Sequence, residues 1–238
     1  MKKYVLPVSC VVFMLFFASC RPNSNYIRRM QSLEEGVDNP NTIEELTDAI
    51  QKYQKRIEDI LNADIRTGIW YKILATRYLD NGLYGKALEN FRSAIEYYPM
   101  NQNLYYYVGV CAGYMANASL DFEATGKTAE RDKYLALSES GYLRAIEIEP
   151  RYARALYGLG VLYVFELERS EKAIPLLETL LDIEKKNIDA MFLLARAYYA
   201  TGADDAAVTL YDRIIAIAGD PVRKANAESN KKQVLEQT

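Results

Sequence analysis

Apolar residues recur at helical spacing along most of the chain. The stretch from residue 71 to 99 shows it most clearly: Y-K-I-L-A-T-R-Y-L-D-N-G-L-Y-G-K-A-L-E-N-F-R-S-A-I-E-Y-Y-P. Tyr71, Leu74, Ala75 and Tyr78 fall at i, i+3, i+4 and i+7, one face of a helix. Asn81-Gly82 stops that helix, because glycine tolerates the left-handed conformation a helix end needs. A second amphipathic run places Ala87, Leu88, Phe91, Ala94 and Ile95 on one face. Pro99 ends it, since the residue before a proline is pushed out of the helical region. Ala75, Ala87 and Ala94 let two helices approach closely while Tyr78 and Phe91 fill the space between. The pattern predicts an antiparallel helix hairpin.

The pattern also repeats. Tyr105, Val108 and Gly109 reproduce the first half one period later, with Ala112 in the place of Tyr78. Tyr142, Ala145 and Pro150 give the matching second half, with Ser138 for the first Ala. Leu156, Leu159, Gly160 and Tyr163 open a third copy, closed by Ala173, Leu177 and Leu180. Met191, Leu194, Ala195 and Tyr198 open a fourth, closed by Ala207, Tyr211 and Ile214. This series resembles the tetratricopeptide repeat (TPR), whose signature runs W-x2-L-G-x2-Y, then A-x3-F, then P. Tyr71 stands for the Trp and Ala75 for the Gly; the third copy has Lys185 instead of the last proline, and the fourth has Gly219. The resemblance implies an all-α chain, a TPR-type α-solenoid of about four helix hairpins with capping helices at both ends. The repeats fall at about 68–101, 102–152, 153–187 and 188–221.

Three stretches lie outside the regular copies. Asn41 or Thr42 caps a helix with Ile43, Leu46, Ile50, Tyr53, Ile57 and Leu61 as its stripe. Leu46 to Tyr53 resembles the second helix of a repeat, and would cap the stack with Trp70 packed beneath it. The second copy is long: 51 residues separate Tyr105 from Leu156, 17 more than the 34-residue period. The excess at 113–133 suits extra turns on both helices and a tip at Thr125-Gly126-Lys127. From Pro221 to about residue 236 a polar helix covers the other end of the stack.

Residues 1–19 carry a targeting signal, with Lys2 and Lys3 ahead of an apolar run from Val5 to Ala18. That run has roughly 14 apolar residues, short of the ~20 that a membrane-spanning helix requires. Phe17-Ala18-Ser19-Cys20 resembles a bacterial lipobox, which implies that Cys20 is lipidated and becomes the first residue. Arg21 follows it where, in enteric bacteria, an Asp would favour the inner membrane; the resemblance then implies the outer membrane facing the periplasm, with inner against outer left open. Residues 20–41 are expected to be a tether, and 42–238 the solenoid. Cys111 is then left without a partner, which excludes a disulfide framework and suits a buried, inert thiol.

The chain of 238 residues has a net charge of −3, which argues against phosphate-backbone binding. It contains no histidine, so histidine-based acid–base chemistry, Ser-His-Asp triads and histidine metal sites are excluded. No CxxC pair, phosphate-binding loop or metal-ligand spacing is present, and no cofactor is expected. The acidic pairs Glu34-Glu35, Glu44-Glu45 and Asp204-Asp205 suit helix capping better than catalysis. An enzyme is therefore not expected.

Tyrosine is abundant, at 20 residues, and about half are not claimed by repeat positions. In TPR stacks the first helix of each pair lines a groove, and the positions between signature residues face it. On that mapping the groove holds Tyr106, Val110 and Tyr114 from the second copy. The third contributes Arg154, Tyr157, Val161, Val164 and Phe165, and the fourth Phe192, Arg196 and Tyr199. Aromatics and arginine are enriched at interface hot spots. The excess at 113–133 is either an elongated hairpin or an arm that contacts a partner or another copy of the chain, a homo-oligomer. The resemblance implies a non-catalytic, lipid-anchored adaptor that binds an envelope protein or peptide. The alternative it implies, on the pattern of some spirochaete TPR lipoproteins, is a ligand-binding accessory of a solute transporter.

Overall fold

The computed structural model describes residues 40–119 and 129–237. The signal segment, Cys20, most of the tether and the arm tip at Thr125-Gly126-Lys127 lie outside the described residues. The described chain contains helices and no strand, and divides into two units, to Ala63 and from Asp64.

Helix α1 runs Ile43–Asp80. It opens with a reciprocal cap. The Glu45 N–H donates to Thr42 Oγ1 at 3.1 Å, and the Glu45 carboxylate accepts from the Asn41 and Thr42 amides at 2.8 and 3.1 Å. Those backbone donors hold the Glu45 carboxyl below the usual range. The structure corrects two expectations here. The capping helix is not a separate element but the start of α1. Nothing in residues 62–70 breaks a helix except Gly68, which costs only about 1 kcal/mol relative to Ala. Gly68 serves packing instead: a Cβ there would meet Tyr97 Cβ and Tyr98 Cε2 at 2.6 Å. Trp70 is not core either, because it is 64 % exposed.

The second unit stacks hairpins. The last part of α1 turns through Gly82, at φ +71°, into α2 (Tyr84–Tyr97). Helices α3 (Gln102–Ala118) and α4 (Ala129–Ile148) follow. Helix α5 (Ala153–Val161) continues as a π-helical turn, Leu162–Glu166, before α6 (Ser170–Ile183). Helix α7 (Ile188–Ala200) turns through Gly202, at φ +76°, into α8 (Asp204–Ile217), and α9 spans Pro221–Gln237. Asn101 caps α3 and Asn187 caps α7, each accepting a backbone N–H, from Asn103 at 3.0 Å and Ala190 at 2.9 Å. Helix α3 extends to Ala118 and α4 begins at Ala129, so both reach into the excess of the second copy, whose residues 120–128 lie outside the described residues.

The repeat positions form the core. Ala75, Ala87, Phe91, Ala94, Leu104 and Cys111 are fully buried in one cluster. Leu156, Leu159, Leu177, Leu180, Met191 and Ile214 are buried in a second that continues to Val234 of α9. Tyr142 joins two hairpins: Cβ atoms at Gly109 of α3 or Gly158 of α5 would stand 2.8 Å from its ring. Ser138, where the repeat expects Ala, is buried, and its hydroxyl donates to the Gly109 carbonyl at 2.8 Å. That bond satisfies a polar group that burial would otherwise penalise. Cys111 is fully buried, and burial pushes its thiol up to about 12.

Candidate partner-binding groove

The groove is built from positions that the repeat core leaves over on α3, α5 and α7. It contains two neighbouring cavities. One, of about 300 Å³, is lined by Tyr106, Val110, Tyr114, Tyr157, Val161 and Glu166, among others. The other, of about 310 Å³, is lined by Tyr157, Phe165, Phe192, Arg196 and Tyr199, with Asn230 and Gln233 of α9. Tyr157 lines both. Seven of the eight sequence-predicted residues therefore line a cavity. Arg154 lines neither; it is exposed beside Tyr152, Tyr107 and Tyr106, which hold its guanidinium above its ordinary pKa.

The rings differ in freedom. Phe165 is 51 % exposed and Tyr114 48 %. Tyr114 stacks on Tyr84 with centroids 4.3 Å apart. Tyr106, Tyr157, Phe192 and Tyr199 are half-buried and also pack on the core. Tyr106 meets Tyr107 and Tyr152 edge-on, at 5.1 and 5.7 Å. Phe192 lies 6.2 Å from Tyr211. Burial raises the pKa of the Tyr106 and Tyr157 hydroxyls, so these groups stay neutral donors near neutral pH.

The π-helical turn decides which side chains reach the groove. The Leu167 amide donates to the Leu162 carbonyl at 3.0 Å, five residues back, and so admits an extra residue to the turn. Val164, expected in the groove, is turned into the core, while Phe165 stays outside. Arg196 of α7 then places its guanidinium 5.0 Å from the Phe165 ring centroid, a cation–π arrangement.

Charges in the groove are unevenly matched. Glu166 is held by Arg131 at 2.6 Å, and Asp189 by Arg223 at 3.3 Å. Neither Arg154 nor Arg196 forms an ion pair among the described residues. The second cavity thus offers the Arg196 guanidinium to an incoming anion, while the nearby carboxylates Glu166 and Asp189 are each held in an ion pair.

The expectation missed the role of α9. It was expected only to cover the end of the stack, yet Asn230, Gln233 and Val234 form a wall of the second cavity. The signal was present in Ala227 and Val234, two buried residues one heptad apart in a polar helix. Arg223 to Asp189 and Lys231 to Asp212, at 2.6 Å, fasten that helix to α7 and α8.

The helices stack as a solenoid of hairpins with aromatic residues lining two neighbouring cavities. Residues 74–112 and 164–227 each match the tetratricopeptide repeat family, and the chain carries tetratricopeptide repeats. A TPR repeat-containing protein of Borreliella burgdorferi is 26% identical over 229 residues, covering 94% of each chain. A solved thermophilic TPR protein of Thermus thermophilus superposes with a TM-score of 0.54 at 21% identity, over 80% of this chain and 92% of its own. MamA of Desulfovibrio magneticus RS-1 does so with a TM-score of 0.53 at 16% identity, over 71% and 94%. At those identities the two solved structures bear on fold alone. TPR proteins in general mediate protein–protein interaction.

Proposed function

We propose that this chain is a non-catalytic adaptor, held at a bacterial envelope through a lipid on Cys20, that binds a peptide or helix of another envelope protein in its groove. One observation carries the binding part. Two adjacent cavities share Tyr157, and one of them holds Arg196 stacked on Phe165 with no carboxylate partner among the described residues. Cavities of this size each accept one or two apolar side chains. Their adjacency suits a segment with two apolar anchors and an acidic group near Arg196. The envelope part rests on the order of Lys2-Lys3, the apolar run and Cys20. A non-catalytic role fits a chain without histidine whose groove carboxylates, Glu166 and Asp189, are each held in an ion pair.

The test is affinity capture from solubilised envelopes with wild type and an Arg196→Ala, Phe165→Ala double variant. One stoichiometric partner held by wild type and lost by the variant is expected. A partner retained equally by both would remove the groove from the proposal.

A further inference from the structure

Within the first unit, α1 carries an apolar row on a seven-residue register. Ile43, Ile50 and Ile57 stand seven apart, and Leu46, Tyr53 and Ile60 follow each of them by three. The row therefore fills three consecutive heptads, with isoleucine at every first position and Leu, Tyr and Ile at the fourth. Leu61 widens its last turn, and Asp64 and Thr67 take the next two places and end it. All seven apolar side chains are exposed, from Ile43 at 86 % down to Tyr53 at 40 %. A helix face of this kind is the side that ordinarily packs.

The other heptad positions argue for what packs there. Every carboxylate between residues 43 and 63, together with Lys52 and Lys55, lies at the second, third or sixth place, away from the row. Asp48 and Lys52 pair with each other on that side at 2.7 Å. The flanking fifth and seventh places are where charges select partners in a coiled coil. Here they hold Thr47, Gln54 and Leu61 on one side, and Ala49, Arg56 and Ala63 on the other. Two copies of this face therefore meet without like charges in either direction. Set parallel, Arg56 comes beside Leu61 of the second copy. Set antiparallel, with Ile50 opposite Tyr53, it comes beside Ala49. A two-fold pair presents the same patch from both sides, so the patch must complement itself, and an uncharged apolar row does. A lipid surface suits it less. Helices that lie on membranes are rich in Lys and Arg on their polar face, whereas residues 43–63 hold five carboxylates against three cations.

We propose that this row is the contact between two copies of the chain, which pair through residues 43–61 of α1 as a short coiled coil. Three heptads are the least that sustain such a pairing, so the dimer should be reversible and depend on concentration. The proposal does not depend on lipidation of Cys20 or on the groove.

Sedimentation equilibrium of the full chain carrying Cys20→Ser tests it, since that substitution removes the acylation site and with it the need for detergent. A reversible dimer is expected at micromolar concentrations. Ile50→Ala combined with Ile57→Ala should raise its dissociation constant at least about tenfold. Alanine is a better helix former than isoleucine, so the loss would not come from an unfolded α1. Lys55→Glu, on the opposite side of the helix, should leave the dimer unchanged. A chain that stays monomeric throughout the micromolar range would overturn the proposal. A dimer that the double variant retains in full would overturn it by placing the contact elsewhere. A monomer that binds vesicles of phosphatidylethanolamine and phosphatidylglycerol through the same two isoleucines would overturn it in favour of lipid.

Discussion

Gly141 of α4 meets Gly109 of α3 so closely that a Cβ on Gly141 would stand 2.8 Å from the Gly109 backbone nitrogen. The Tyr105 carbonyl oxygen would be 2.9 Å away. Both obstacles are backbone, which cannot swing aside as a side chain can. The tightest helix crossing of the second hairpin is therefore glycine on glycine, and Tyr142, the next residue, gains its seat between α3 and α5 from it.

Gly141→Ala should accordingly separate these helices and cost about 1–3 kcal/mol. Gly160→Leu should cost a similar amount, because even a Cβ there would lie 2.8 Å from Leu177 Cδ2. Ala87→Leu overpacks a fully buried position in the same way. Urea titrations of the three variants measure this. A midpoint equal to wild type for Gly141→Ala would mean that the crossing is looser than the geometry states. Because each hairpin covers its neighbour's apolar face, losses at one crossing should propagate along the stack.

Alkaline pH should weaken the fold. Burial, with help from the hydrogen bond to Glu139 at 2.9 Å, raises the Tyr163 phenol from 10.0 to about 12. Tyr198 is raised to about 12, by burial and by Glu178 at 2.6 Å. Folded chains hold these protons where unfolded chains release them. The resulting stability is complete below about pH 10 and is lost as pH climbs through about 12. Melting temperature followed from about pH 9 to about pH 12 should fall over that window. Tyr163→Phe should flatten the fall; an unchanged slope would exclude Tyr163 as a contributor.

Much of the architecture was legible in the residues because repeat signatures encode packing. Ala87, Phe91 and Ala145 are small or large where two helices must be near or far, and they are buried as that logic requires. The groove residues were legible by subtraction, since Tyr157, Phe192 and Arg196 lie at positions the core does not claim. Other features were not legible for physical reasons. No local breaker marks where a capping helix ends, so α1 runs on through Trp70 and leaves it exposed. A π-helical turn has no fixed sequence signature, so the inward turn of Val164 could not be read from a 3.6-residue period. The wall supplied by α9 depends on two apolar residues in a polar helix, a signal too sparse for periodicity to assign.

Attachment at Cys20 is open to a direct check. The full-length product should partition into detergent, and Cys20→Ser should move it to the aqueous phase. Stable anchoring requires two or more acyl chains, at ~0.8 kcal/mol per buried methylene. Wild type recovered wholly in water would defeat the lipoprotein proposal. Cys111 should not confuse the comparison, because its buried thiol, with a pKa near 12, is not a reactive thiolate at neutral pH.

The groove variants separate binding from folding, and the structure changes which of them are informative. Tyr157, Phe192 and Tyr199 pack on the core, so their truncation should lower stability as well as binding. For a half-buried ring such as Phe192 the loss should be about 1 kcal/mol. Phe165 and Tyr114, each about half exposed, should tolerate Ala with little change in melting temperature. If Phe165 is a binding anchor, Phe165→Ala should weaken the partner by about 2 kcal/mol or more while the fold is kept. Arg196→Ala removes the guanidinium above that ring, and its effect on binding should shrink as salt rises if the bound group is anionic. Melting temperature and affinity measured on the same variants decide the matter. Phe165→Ala and Arg196→Ala proteins that melt and bind like wild type would exclude the second cavity as the partner's seat. Tyr114→Ala would then test the first.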